Sequence, residues 1–239
     1  MPVRAILFDK DGTLFDFQRT WAPWVAVVID RLAQGDEQLA DQLARAWHFD
    51  RAKLRIGRDS IIISGEVEQV ARQIHPLVPG YGPDALLALL DETGAQAEGV
   101  PVLPLAGFLQ GLSDSGLRLG VATNDTESTA RAQLHRAGIE HRFDFIAGYD
   151  SGHGGKPAPG MCLAFADHLD LDPAQIVMVG DSRHDLCAGR AAGMRCVGVL
   201  TGLADESDLA PYADVVLSDI GELPRWLGQV LPPRSIVIS

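Results

Sequence analysis

Two aspartates, Asp9 and Asp11, stand two residues apart in FDKDGTLFD, directly after an apolar run. Side chains at i and i+2 of an extended chain project to the same side, so the two carboxylates converge where a strand ends. Gly12 lets the backbone turn away from them. Two acids this close repel each other. Both stay ionised only beside a cation or strong donors, and otherwise one takes a proton. Either state serves nucleophilic or acid–base chemistry. A calcium loop is excluded, because the EF-hand pattern needs glycine where Leu14 stands and glutamate where Thr20 stands.

Three further stretches carry polar groups in the same kind of position. VATND puts Thr123 and Asn124 at the end of an apolar run that leads into helical spacing, where such residues cap a helix and where backbone N–H groups favour an anion. GGKPAPG sets Lys156 among glycines and prolines, a stiff loop that fixes one cation. VMVGDSRHD brings Asp181 to the end of another apolar run and Asp185 four residues on; alone, such acids merely suit a helix N-terminus. Each stretch has an ordinary structural explanation. In order, however, they place a metal-binding half and a phosphate-binding half around one crevice at strand ends.

The elements that position these residues are legible in the hydrophobic pattern. Short apolar runs at 3–8, 117–122, 145–147, 176–179, 196–200 and 215–217 read as buried strands. Between them lie helical stretches such as 128–137 and 184–192, stopped by Gly138 and Gly193 at left-handed C-caps. Strands alternating with helices predict an α/β fold, a Rossmann-like, doubly wound parallel sheet. Residues 16–99 break the rhythm with Ala, Leu, Gln and acidic residues at helical spacing, so an α-helical insert leaves the first strand and can fold over the site. Pro101 and Pro104 mark the return to the core. The division expected is a core of 1–15 and 100–239 with an insert of 16–99. The run 61–63 fits a strand or a buried helical turn equally well, and the tail 232–239 reads as an edge strand or a docked terminus.

The four motifs FDKDGTLFD, VATND, KPAPG and GDSRHD, in this order and followed by AAGMRCVGV, resemble the haloacid dehalogenase superfamily, in its phosphoglycolate phosphatase-like branch. The resemblance covers essentially the whole chain. It implies that Asp9 is the nucleophile that becomes an aspartyl-phosphate, that Asp11 is the general acid and base, and that Thr123 and the Asn124 amide hold the phosphoryl oxygens. Lys156 would offset charge on nucleophile and phosphate. Mg²⁺ would be bound by Asp9, the Asp11 carbonyl and Asp181, with Asp185 behind them holding a metal-bound water or Lys156. The insert would be the helical cap of such enzymes. The implied activity is hydrolysis of a small phosphorylated metabolite, phosphoglycolate or a sugar phosphate. A β-phosphoglucomutase-like mutase shares the core motifs, and a non-catalytic binding protein is the third class. Phe17 departs from the small hydroxyl residue that commonly follows Asp16 in the family.

Composition narrows the partners. A net charge of −12 repels a nucleic-acid backbone, and no apolar run is long enough for a membrane span. The three cysteines, without paired spacing, fit a reducing, cytoplasmic compartment. The pattern is compatible with a monomer or a homodimer. Within the insert, Arg51, Lys53, Arg55 and Arg58 form the densest basic segment; Arg55 and Arg58 are the candidates there to grip a second anionic group, against the simpler reading of a solvated face. Trp21, Trp24 and Trp47 read as helix-packing core, His153 as structural or exposed, and His184 as solvent-facing.

Overall fold

The computed structural model describes residues 2–63 and 65–230. In chain order its elements are β1 (Ala5–Phe8), α1 (Phe17–Ala33), α2 (Glu37–Ala46), β2 (Phe49–Asp50), β3 (Arg55–Ile56), α3 (Val67–Ile74), α4 (Pro83–Gln96), α5 (Leu105–Asp114), β4 (Arg118–Ala122), α6 (Glu127–Arg136), β5 (Phe145–Ala147), α7 (Gly160–Leu169), β6 (Ile176–Gly180), α8 (Arg183–Ala192), β7 (Arg195–Val199), α9 (Glu206–Leu209), β8 (Val215–Leu217) and α10 (Leu223–Val230). Each apolar run expected as a strand contributes one, with ends shifted by up to two residues. The run 61–63 is a 3₁₀ turn, and the tail 232–239 lies outside the described residues.

Six strands form one sheet in the order β5-β4-β1-β6-β7-β8, every pairing parallel. Successive side chains of β1 alternate between faces. Ile6 and Phe8 join Leu109 of α5, Leu134 of α6 and Leu223 of α10, whereas Ala5 and Leu7 join Phe165 of α7 and Leu186 of α8. Both faces are thus covered, which is why β1 is apolar at every position. The chain winds outward from β1 in both directions, so the switch point lies between β4, β1 and β6. Their C-terminal ends form the crevice at which such sheets bind ligands.

Residues 17–90 bury a separate apolar cluster built around Trp47, Ile29 and Leu43. Trp21 and Trp24 meet edge to face at 5.2 Å, and Trp24 stacks on Trp47 at 6.1 Å, as expected of packing side chains. The entering and leaving segments run side by side, with the Asp16 N–H on the Val100 carbonyl and the Val102 N–H on the Leu14 carbonyl. Asp16 also caps α1 by accepting from the Arg19 N–H. Tyr149 donates to Glu68 at 2.9 Å, and Thr126 donates to Asp91 at 2.7 Å, which holds α3 and α4 against loops that follow the sheet's strands.

Gly189 of α8 sits where the helix approaches the sheet, and a Cβ there would lie 2.7 Å from Met178 Cβ and 2.8 Å from Cys196 Sγ. Alanine gains about 0.5–1 kcal/mol of helix preference over glycine, but overpacking a fixed core costs about 1–3 kcal/mol. The clash wins, so Gly189→Ala lowers the midpoint of thermal or denaturant unfolding; an unchanged or raised midpoint would show that α8 moves off the sheet without cost.

Candidate active site

The register of the central strands assembles the site. Phe8 is level with Val121 on one side and Val179 on the other, so the residues just beyond, Asp9, Thr123 and Asp181, emerge next to one another. All three are buried, at 6%, 2% and 5% exposure. Gly12, at φ 85°, turns the chain away after Asp11, and a Cβ at Gly12 or at Gly202 would collide with the Asp181 carboxylate. These two glycines leave room for that carboxylate and nothing larger. Thr201 Oγ1 donates to the Gly12 carbonyl and ties the loop after β7 to the turn.

Lys156 reaches the same point from the loop before α7. Its ammonium donates to Asp9 Oδ1 at 2.5 Å and to the Ala122 carbonyl at 2.7 Å, and pairs with Asp185 Oδ1 at 2.6 Å. The expected contact between Asp185 and Lys156 is therefore present, while the other Asp185 oxygen accepts from the Ser182 N–H and hydroxyl. The Asn124 carboxamide grips the Lys156 backbone in both directions, at 2.9 and 2.8 Å, and so positions the lysine loop. Thr123 Oγ1 accepts from the Asp125 N–H, which leaves its proton for an anion.

When all three are ionised, the acids of this buried cluster exceed its one lysine by two charges. Burial raises the Asp9 carboxyl; Lys156 opposes the rise, Asp185 and Asp11 add to it, and the group ends at about 7. Burial also raises Asp181 well above the usual carboxylate range, with repulsion from Asp9 and Asp185 behind it. For Lys156, burial works against the charge, but Asp185 and Asp9 outweigh it and hold the ammonium above its ordinary value. Oxygens of Asp9, Asp181 and Asp185 all lie within 4.8 Å of one another. An all-carboxylate donor set with uncompensated charge fits a hard divalent cation. Asp185 thus stands beside Asp9 and Asp181, not only behind them.

A second buried cation was not foreseen. Lys10, fully buried, donates to Asp11 Oδ2 and to Gln133 Oε1, each at 2.5 Å, pairs with Asp125 Oδ2 at 2.9 Å and lies 5.2 Å from the Trp21 ring centre. Burial again opposes its charge, and Asp11 and Asp125 overcome it. Burial raises Asp125 to about 6, with Lys10 opposing and Asp11 adding. Asp11 Oδ1 is buried without a hydrogen-bond partner among the described residues, in a side chain that lines the site cavity. The sequence shows only a lysine flanked by two aspartates after an apolar run, because Asp125 and Gln133 are brought to it by the pairing of β1 with β4.

The basic candidates of the insert lie elsewhere. Arg58 is exposed and donates to the Leu203 carbonyl and Asp205, and Arg55 is exposed on β3; neither lines the cavity, so the expected substrate grip is corrected to a surface contact for Arg58. Arg51 pairs with Glu37 and Asp41. His153 is exposed, whereas His184, expected to face solvent, is half-buried and lines the cavity. No helix among the described residues is long and apolar enough to cross a membrane.

A family model described as haloacid dehalogenase-like hydrolase matches residues 3–193. The chain is 30% identical to a phosphoglycolate phosphatase of Rhodospirillum rubrum, over 94% of this chain and 91% of that one. It is 31% identical to a phosphoglycolate phosphatase of Xanthomonas campestris pv. campestris, over 92% and 94%. Its fold is similar to the crystal structure of a predicted phosphoglycolate phosphatase from Haemophilus somnus, with a TM-score of 0.68 at 19% identity, covering 94% and 97%.

Two outcomes check the electrostatics. A divalent cation such as Mg²⁺ stabilises the folded protein by about 2.7 kcal/mol at a hundred times the dissociation constant, which is read as a raised unfolding midpoint. Asp181→Asn abolishes that gain, yet without metal the variant is no less stable than the parent, since a repelling carboxylate is gone. Absence of any metal-dependent shift in the parent protein overturns the cation assignment. Lys10→Met leaves Asp11 and Asp125 buried without their cation and costs about 3–5 kcal/mol in denaturant unfolding; a loss below 1 kcal/mol would mean that water reaches these carboxylates.

Proposed function

The chain belongs to the haloacid dehalogenase-like hydrolases and is a hydrolase of phosphoric monoesters, and on that premise we propose that it releases phosphate from a small metabolite through a phosphorylated Asp9. The observation that carries this reading is the Asp9–Lys156 pair at the switch point of the sheet, with Asp11 two residues on. Lys156 orients the Asp9 carboxylate and favours its ionised form. A carboxylate oxygen of Asp9 attacks phosphorus, and the bond to the leaving oxygen breaks, which splits one difficult displacement into two easier ones. Asp11 gives its proton to the leaving oxygen. It then takes a proton from the water that attacks the acyl phosphate, which returns Asp9 and frees phosphate.

Lys10 fixes one Asp11 oxygen and leaves the other for this exchange. The Thr123 hydroxyl binds a phosphoryl oxygen, and Asn124 keeps the lysine loop in place. Asp9, Asp181 and the Asp11 carbonyl, with Asp185 beside them, would hold Mg²⁺, which would neutralise phosphoryl charge. Residues 16–99 act as a cap that keeps bulk water from the acid–base pair. Phosphoglycolate, the substrate named for the curated relatives, and small sugar phosphates are the first compounds to try. The free cysteines Cys162, Cys187 and Cys196 support placing the protein in a reducing compartment, the cytoplasm.

Asp9→Asn lowers turnover of a generic aryl phosphate at least about a thousandfold, and acid-quenched parent enzyme carries a phosphoryl adduct on Asp9 by peptide mass spectrometry. Adduct on another residue, or undiminished release by the variant, refutes the mechanism. Sugar 1-phosphates converted to isomers without free phosphate would establish a mutase instead.

A further inference from the structure

We propose that this site selects phosphomonoesters whose leaving alcohol is uncharged and presents an apolar face, and that it discriminates against a leaving group bearing a second anion such as a carboxylate. The inference rests on the phosphatase reading and specifies the substrate class of the same site.

Among the described residues the insert's share of the cavity wall is apolar except at Asp91. Trp21, Trp24, Ile62, Ile63, Val67 and Leu90 line it, with Phe17 at the base of α1. The one charged side chain that the insert adds among the described lining residues is Asp91, an acid whose Oδ1 already accepts from the Thr126 and Thr129 hydroxyls. The Trp24 indole N–H is engaged by Thr93 Oγ1. A sugar ring or a carboxylate therefore meets hydrocarbon on this side, with few groups able to donate to it.

Charge acts in the same direction. Asp9, Asp11, Asp91, Asp125, Asp181 and Asp185 all line the cavity, and the lysine among the lining residues is Lys156, with its three donors on Asp9, the Ala122 carbonyl and Asp185. His184 contributes from α8 of the core, not from the wall where the leaving group would lie. The arginines that could have served the insert are turned to acids at the surface, Arg51 to Glu37 and Asp41, and Arg58 to Asp205. The phosphoryl end has Lys156 and the proposed cation to offset its charge, but a second anion would be desolvated beside acids without a partner. An apolar alcohol instead removes its surface and that of the wall from water.

Steady-state kinetics on three esters of primary alcohols separates the terms: benzyl phosphate, 2-hydroxyethyl phosphate and 2-phosphoglycolate. The expected order of kcat/KM is benzyl, then hydroxyethyl, then phosphoglycolate, with at least about tenfold between the first and the last, the scale of discrimination by an apolar pocket. Ile62→Arg, which puts a cation on the wall, moves the benzyl-to-phosphoglycolate ratio about tenfold toward phosphoglycolate; Val67→Lys serves the same purpose if the first variant fails to fold. Phosphoglycolate turned over as well as or better than benzyl phosphate overturns the inference and leaves the phosphatase reading intact. So does turnover of an aryl phosphate with benzyl phosphate inert. If no ester is hydrolysed, aryl phosphate included, the phosphatase reading itself fails.

Discussion

One ammonium group joins the parts of this molecule that carry chemistry. Lys156 Nζ is shared by Asp9 at the end of β1, the Ala122 carbonyl at the end of β4 and Asp185 in the first turn of α8. Buried carboxylates repel one another and are costly to ionise without a counter-charge. The lysine makes it feasible to bring two of them from segments far apart in the chain to one place. Its loop is in turn held by Asn124, so the two halves of the sheet and the connection between them are coupled through a single side chain.

The compensation is deliberately incomplete in physical terms, because three acids remain around one lysine. A folded protein tolerates such an excess where a cation or a reaction uses it, and perturbed carboxylates concentrate at functional sites for that reason. The glycines at 12 and 202 belong to the same requirement. They leave the Asp181 carboxylate room within a tight turn, where any side chain would displace it.

Lys10 performs a related task two residues beyond the end of β1. By holding Asp11, Asp125 and Gln133 together it connects the reactive end of β1 to α6, and Gln133 carries the connection on to the Gly94 carbonyl of α4. The packing of Lys10 against Trp21 adds a cation–π contact to α1. The insert is therefore bound to the catalytic strand by polar groups, while its apolar side chains face the cavity and its own core. On the proposed reading this separates two tasks: the core neutralises phosphate, and the insert decides what is attached to it.

Much of this was readable before any coordinates. Apolar runs followed by Asp, Thr or Gly identify β1, β4 and β6 and the polar residues at their ends, because a strand buried on both faces admits no polar side chain until it leaves the sheet. The order of Asp9, Thr123, Lys156 and Asp181 along the chain therefore specified both the α/β architecture and the strand ends at which the site forms. What the chain order could not specify is which side chains meet across neighbouring strands. Lys10 reads locally as one more charge among the acids of FDKD, and its partners Asp125 and Gln133 lie more than a hundred residues away, so only the pairing of β1 with β4 makes it a buried cation. Likewise Arg55 and Arg58 fit either an anion grip or a solvated face by composition, and the fold turns Arg58 to Asp205 and lines the cavity with tryptophan and isoleucine. Residue type sets which interactions are available to a side chain; direction and burial, which depend on distant contacts, select the one that forms.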